Sequence, residues 1–183
     1  AMNCSGKHAG MLATCVINGW PTDTYLDPTH PLQLAIKAEV EAMSGEEVTL
    51  TSVDGCGAPL FLFSLLGLAR AIRNLTISTD PVHQDVAQAC RDFPEMVSGP
   101  GRLATRMMQN VPGLFMKDGA EAVNVASLPD GRTLAIKISD GNQRAMPAIT
   151  AAALAKFGID AHETAVNTLG AGLPVGVIRA SFA

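Results

Sequence analysis

The chain has 183 residues, 48% hydrophobic and 16% charged: long enough to close a substantial core, and too apolar to stay disordered. Its net charge of −4, with 13 basic residues scattered singly, excludes the basic face that a nucleic acid partner requires. The longest apolar run, 58–69, contains Pro59 and falls short of the roughly 18 residues needed to cross a bilayer, so no membrane span is expected.

Aromatic residues are sparse at 4%, which leaves Ala, Leu, Val, Ile and Met to build the core. The low charge fraction also suits a surface that a second copy or a partner chain covers. Cys4, Cys15, Cys56 and Cys90 contain no Cys-x-x-Cys pair, and no basic stretch followed by an apolar core marks a leader. Reduced thiols in the cytoplasm are therefore expected, in a single domain over 1–183.

The first informative stretch is Cys4-Ser5-Gly6-Lys7-His8, which puts a thiol, a hydroxyl, an amine and an imidazole on one turn. Ser5 is a suitable N-cap for a helix over 6–13, which would set Cys4 at the positive helix end and lower its pKa. Such a turn suits a charged ligand or a metal; a helix start with a small buried cysteine explains the same residues. Trp20 and Tyr25 stand among prolines, the usual pattern of a loop pinned onto its domain; a lid over a substrate is the less common alternative. A second helix begins at Thr29–Pro31, uses Leu34, Ile36, Val40 and Met43 as its apolar face, and stops at Gly45.

The β-rich segment 46–53 leads into Asp54-Gly55-Cys56-Gly57-Ala58-Pro59. Proline favours the first helical position, so a helix over 58–73 is expected with Cys56 at its positive end. Asp80-Pro81 starts a further helix over 82–92, and Pro94 ends it. The glycine loop 98–102 lacks the spacing of a phosphate loop. Two apolar-alternating runs, 123–128 and 133–139, flank Pro129-Asp130-Gly131 and predict a hairpin. Lys137 falls within the second run, either on the solvent face of an edge strand or in a cleft. An alanine-rich helix over 144–157 is closed by Gly158, and 175–181 alternates as a last strand. Helices followed by an antiparallel sheet make an α+β fold.

Taken together, Asn3-Cys4-Ser5-Gly6-Lys7-His8-Ala9-Gly10-Met11, Gly19-Trp20-Pro21, His30-Pro31-Leu32-Gln33, Val53-Asp54-Gly55-Cys56-Gly57-Ala58-Pro59, Lys117-Asp118-Gly119-Ala120-Glu121 and Lys137-Ile138-Ser139-Asp140-Gly141 closely resemble the asparaginase II family. These are serine-dependent amidohydrolases whose fold is similar to that of serine β-lactamases and glutaminases. The resemblance implies hydrolysis of L-asparagine to L-aspartate and ammonia. It implies a Zn²⁺ held by Cys4, Lys7 and Cys56, and a catalytic lysine at Lys137. It further implies a substrate pocket lined by the Gly6 backbone, His8 and Asp54.

Donor chemistry alone chooses His8 as the third zinc ligand, because a neutral imidazole need not lose a proton first; the resemblance favours Lys7. The family's nucleophile belongs to a Ser-x-x-Lys pair lying before the cysteine motif, and no serine here has a lysine three positions later. The expectation is therefore the C-terminal portion of an asparaginase, in a homo-oligomer or with a partner chain. The alternative is a non-catalytic module that binds zinc and aspartate or asparagine, or a self-associating fragment.

Overall fold

The computed structural model describes residues 4–161 and 166–181; Asn3, which opens the first motif, lies outside them. The chain divides into two compact units, residues 1–67 and 68–183.

In the first unit, α1 spans Ser5–Asn18, with Cys4 rather than Ser5 at its N-cap and no side-chain cap bond. The helix runs past the expected end because 14–17 keeps helical spacing. His8, Met11 and Cys15 recur three and four residues apart on one buried stripe. Gly19 turns left-handed and closes the helix, its N–H reaching Val16 O. Helix α2, Pro31–Ser44, starts within the expected stretch with proline in its first turn: His30 is its cap, Nδ1 accepting from Leu32 N–H at 3.1 Å. Gly45 ends it at φ +68, as expected.

Ile36, Val40 and Met43 of the expected apolar face are half-buried, and Ile36 packs on the core, but Leu34 departs from it. Leu32 and Gln33 are buried while Leu34 is 53% exposed. The loop between the helices causes this, because it lies over the first turn of α2. Gln33 Nε2 donates to Tyr25 O at 2.7 Å, His30 Nε2 lies 3.0 Å from Pro21 O, and Trp20 meets the His30 ring edge-on. The aromatic loop is thus pinned, as its prolines suggested. Trp20, Tyr25 and Leu26 pack on a small core of Met11, Cys15, Leu32 and Ala58.

Strands β1 (Leu50–Val53) and β2 (Pro59–Leu62) form an antiparallel hairpin, with Leu50 opposite Leu62 and Val53 opposite Pro59. This corrects the helix expected from Ala58. Asp54 N–H bonds Ala58 O at 2.8 Å, and Gly57 adopts φ +87, so the chain reverses. Pro59 takes the first position of a strand, where its missing N–H is tolerated. The helix begins further on, as α3, Leu65–Thr76, where Ser64 Oγ accepts Gly67 N–H at 2.9 Å.

In the second unit, α4 (Pro81–Asp92) is capped by Asp80, whose Oδ1 accepts Val82 N–H at 2.8 Å, and it stops before Pro94. Short α5 (Pro94–Ser98) and α6 (Leu103–Asn110) follow. Strands β3 (Phe115–Gly119), β4 (Val123–Ser127) and β5 (Thr133–Lys137) form an antiparallel sheet in the order β3-β4-β5. The predicted hairpin is β4–β5, with Val123 opposite Lys137. Helix α7 covers Met146–Lys156, and β6 (Val166–Gly170) pairs with β7 (Leu173–Ile178).

Met107, Leu114, Met116 and Leu154 are nearly inaccessible at the centre of this unit's core. Methionine fills the irregular gaps that a chain poor in aromatics leaves. The architecture is α+β, as expected. Among the described residues no helix is long and apolar enough to cross a membrane, and the four cysteines are free thiols.

Candidate functional site

Helix α1 and the β1–β2 turn bring together residues that the sequence holds far apart. Cys4 caps the helix, Lys7 follows one turn later, and Asp54 and Cys56 sit in the hairpin turn. The two thiol sulfurs and a carboxylate oxygen of Asp54 all lie within 4.8 Å of one another. Lys7 Nζ donates to Asp54 Oδ2 at 2.8 Å, Cys56 Sγ lies 3.5 Å from the same oxygen, and Asp54 Oδ1 accepts Gly55 N–H at 2.7 Å.

These contacts set the charges. The Lys7 bond holds the Asp54 carboxyl below the usual carboxylate range, against the opposing effect of burial. Burial works against the Lys7 ammonium, but its bonds to Asp54 and Cys56 outweigh it and hold its pKa above the ordinary value. The Cys4 thiol is pushed up, first by burial and then by its bond with Cys56. That is the reverse of the lowered value expected at a helix N-terminus. Loss of water and the neighbouring sulfur outweigh the favourable Lys7 charge. The cluster is an ion pair flanked by two thiols, the residue types that hold a soft cation.

His8 lies on the buried stripe of α1 and is 7% exposed. Its Nδ1 is 2.7 Å from the Tyr25 hydroxyl, with the two rings edge-to-face at 5.8 Å. Nε2 is buried without a hydrogen-bond partner among the described residues. Around the exposed Gly6, no heavy atom stands within 4 Å of where a Cβ would project, so backbone is open to an approaching group. The sequence singled out Cys4, Gly6, Lys7, His8, Asp54 and Cys56. It missed the Tyr25–His8 contact, since the loop's pattern suggests a pinned segment or a lid and no local pattern links Tyr25 to a histidine on the preceding helix.

Lys137 belongs to the second unit and is exposed at the end of the outer strand β5. Its Nζ donates to Glu121 O at 2.6 Å and to Ile138 O at 2.8 Å. Glu121 and Ala122 both have left-handed backbone, φ +52 and +55, unusual for residues with a Cβ. Strain of this kind gathers at functional sites.

A family model described as L-asparaginase II matches residues 1–174 of the chain. No curated protein matches it.

Proposed function

The chain belongs to the L-asparaginase II family, and on that premise we propose that its residues serve the hydrolysis of L-asparagine to L-aspartate and ammonia. The convergence of Cys4, Lys7, Asp54 and Cys56 carries this reading, because it gathers from distant positions the donors that the family motifs point to. The donor set fits a tetrahedral zinc. Zinc–sulfur bonds of about 2.3 Å separate two thiolates by about 3.8 Å, and the Cys4 and Cys56 sulfurs, within 4.8 Å of each other here, need close by no more than about an ångström to reach that. Cys4, Lys7 and Cys56 would hold the ion, Lys7 only after giving up a proton and its bond to Asp54, whose carboxylate stands with the two thiols as the other available donor. Bound zinc supplies a positive charge that polarises or orients an amide or carboxylate oxygen.

The chain's own groups do the rest. The His8 Nε2, buried without a partner among the described residues, and the open Gly6 backbone bind polar atoms of the substrate, with Tyr25 fixing the imidazole. The Lys137 amine takes a proton from an attacking hydroxyl and returns it to the leaving ammonia. Ser-x-x-Lys does not occur in the 183 residues, so these residues are assigned binding and proton transfer, not the attacking hydroxyl.

Ammonia release from L-asparagine tests the proposal, with zinc present, alone and with a separate Ser-x-x-Lys segment of the family added in trans. Release that disappears in Lys137→Ala is the expected result; none in either arm at saturating concentration overturns it.

A second reading, a binding module without turnover, is favoured by the two thiols and the Asp54 carboxylate that stand together, and by a buried His8 nitrogen with no hydrogen-bond partner among the described residues. Calorimetry with L-aspartate, with and without a chelator, then gives heat where ammonia release gives none. Self-association is a further part of the proposal. It rests on Leu173, Val175 and Val177, exposed at alternate positions along β7, and is tested by light scattering; a monodisperse monomer would overturn it.

A further inference from the structure

The surroundings of Lys137 hold more than its position on an edge strand. An ammonium has three N–H donors, whereas a neutral amine has two N–H groups and one lone pair. The carbonyls of Glu121 and Ile138, at 2.6 and 2.8 Å, can take both hydrogens of the neutral amine. One valence of the nitrogen is then left over. It carries the third proton in the ammonium and the lone pair in the amine.

The Glu121 carbonyl reaches that place because two successive non-glycine residues turn left-handed. The turn is tied down on several sides. Ala122 is fully buried, and its carbonyl accepts Ile138 N–H at 3.0 Å. Gly119 O accepts Gln143 Nε2 at 3.2 Å. Gly141, itself at φ +71, lies so close that a Cβ there would touch Glu121 Cβ at 3.6 Å. Packing over-determines a conformation that the residues would not choose alone.

We propose that the left-handed Glu121–Ala122 turn is a positioning element for Lys137. Its main-chain carbonyl, with that of Ile138, fixes two hydrogens of the amine so that the remaining valence is held in one direction for the reacting proton. The proposal rests on the proton-transfer reading of Lys137. Because the contact is made by backbone, side-chain changes act on it only through φ. Glycine adopts the left-handed region freely and preserves the carbonyl, while a β-branched residue resists that region and displaces it.

The test is acetylation of lysines by an N-hydroxysuccinimide ester, read by peptide mass spectrometry with exposed Lys156 as internal reference. Lys137 of the unsubstituted chain should react about fivefold more slowly than Lys156, the ratio expected when acylation must break one ordinary hydrogen bond. Glu121→Val should bring the two rates together, and Glu121→Gly should leave the difference intact. Equal rates in the unsubstituted chain overturn the proposal even if Glu121→Val does not fold. So does a Glu121→Val protein that folds and keeps the difference. In the ammonia assay Glu121→Val should lower kcat with KM unchanged. Full activity in Lys137→Ala would instead remove the proton-transfer reading, while the acetylation rates report on the carbonyl clamp separately.

Discussion

Tyr25→Phe tests the pairing that holds His8 in the candidate site. The substitution removes one oxygen and keeps the ring. That oxygen lies 2.7 Å from Nδ1 of His8, a residue 7% exposed whose Nε2 has no partner among the described residues. The phenylalanine variant therefore leaves both nitrogens of a buried imidazole unpaired. A buried polar group stripped of its partner costs about 1–3 kcal/mol, so a loss of about 2 kcal/mol is expected. With a urea slope of about 2 kcal/mol/M, the unfolding midpoint should fall by about 1 M.

Trp20 is the chain's single tryptophan and packs on the same small core as Tyr25, so its fluorescence reports this unit. A double-mutant cycle with His8→Leu isolates the pair. Replacing both partners by apolar groups should cost at least about 1 kcal/mol less than the two single changes added together. Additive effects, or a Tyr25→Phe loss below about 0.5 kcal/mol, would refute the buried pairing and the pocket built on it.

The Lys7–Asp54 ion pair has a pH signature. Asp54, with a depressed folded pKa, contributes stability above its unfolded value and loses it as pH falls through the folded one. Lys7, with a raised pKa, contributes below its unfolded value and loses it as pH rises through the folded one. Lys7→Met should therefore cost about 0.5 kcal/mol at neutral pH, a figure kept small by side chains 43% and 35% exposed, and nothing at either pH extreme; urea titrations across pH check it. Cys56→Ser should abolish zinc retention through dialysis while Cys90→Ser leaves it intact, as metal analysis of the dialysed proteins would show. Gly113→Ala should lose about 1–3 kcal/mol in urea unfolding, because the residue sits at φ +73 and a Cβ would fall 2.6 Å from Pro129 Cγ.

What was legible in the sequence was local chemistry with a single outcome. Asp80-Pro81 caps α4, Gly45 closes α2, and Pro129-Asp130-Gly131 turns the β4–β5 hairpin. Where one residue serves two structures, sequence reasoning chose wrongly. Pro59 suits both a first helical turn and the start of a strand, and only the Asp54–Ala58 backbone bond decides between them. Ser5 is the better cap by type, yet α1 begins at Ser5 itself with Cys4 before it.

The candidate site divides the same way. Cys4, Lys7, Asp54 and Cys56 could be named from their motifs, whereas the Tyr25 contact depends on how a loop folds back across α1. Nothing in Glu121 or Ala122 advertises a left-handed backbone, because neither is the glycine that usually marks one.

Among the described residues, β3 and β5 are the outer strands of their sheet, and each carries a lysine, Lys117 and Lys137, opposite Val125 and Val123 of β4. An open strand edge is a template on which another extended chain can add itself, and fibrous aggregation starts there. An ammonium on the edge has to shed water before a strand can dock, so it acts as a guard. On the proposed proton-transfer role, solubility and chemistry draw on the same side chain at Lys137. Lys137→Ala removes both, and should clump on storage as well as lose turnover. Lys137→Arg keeps the guard but presents a group that does not part with its proton, and in that variant the two roles come apart.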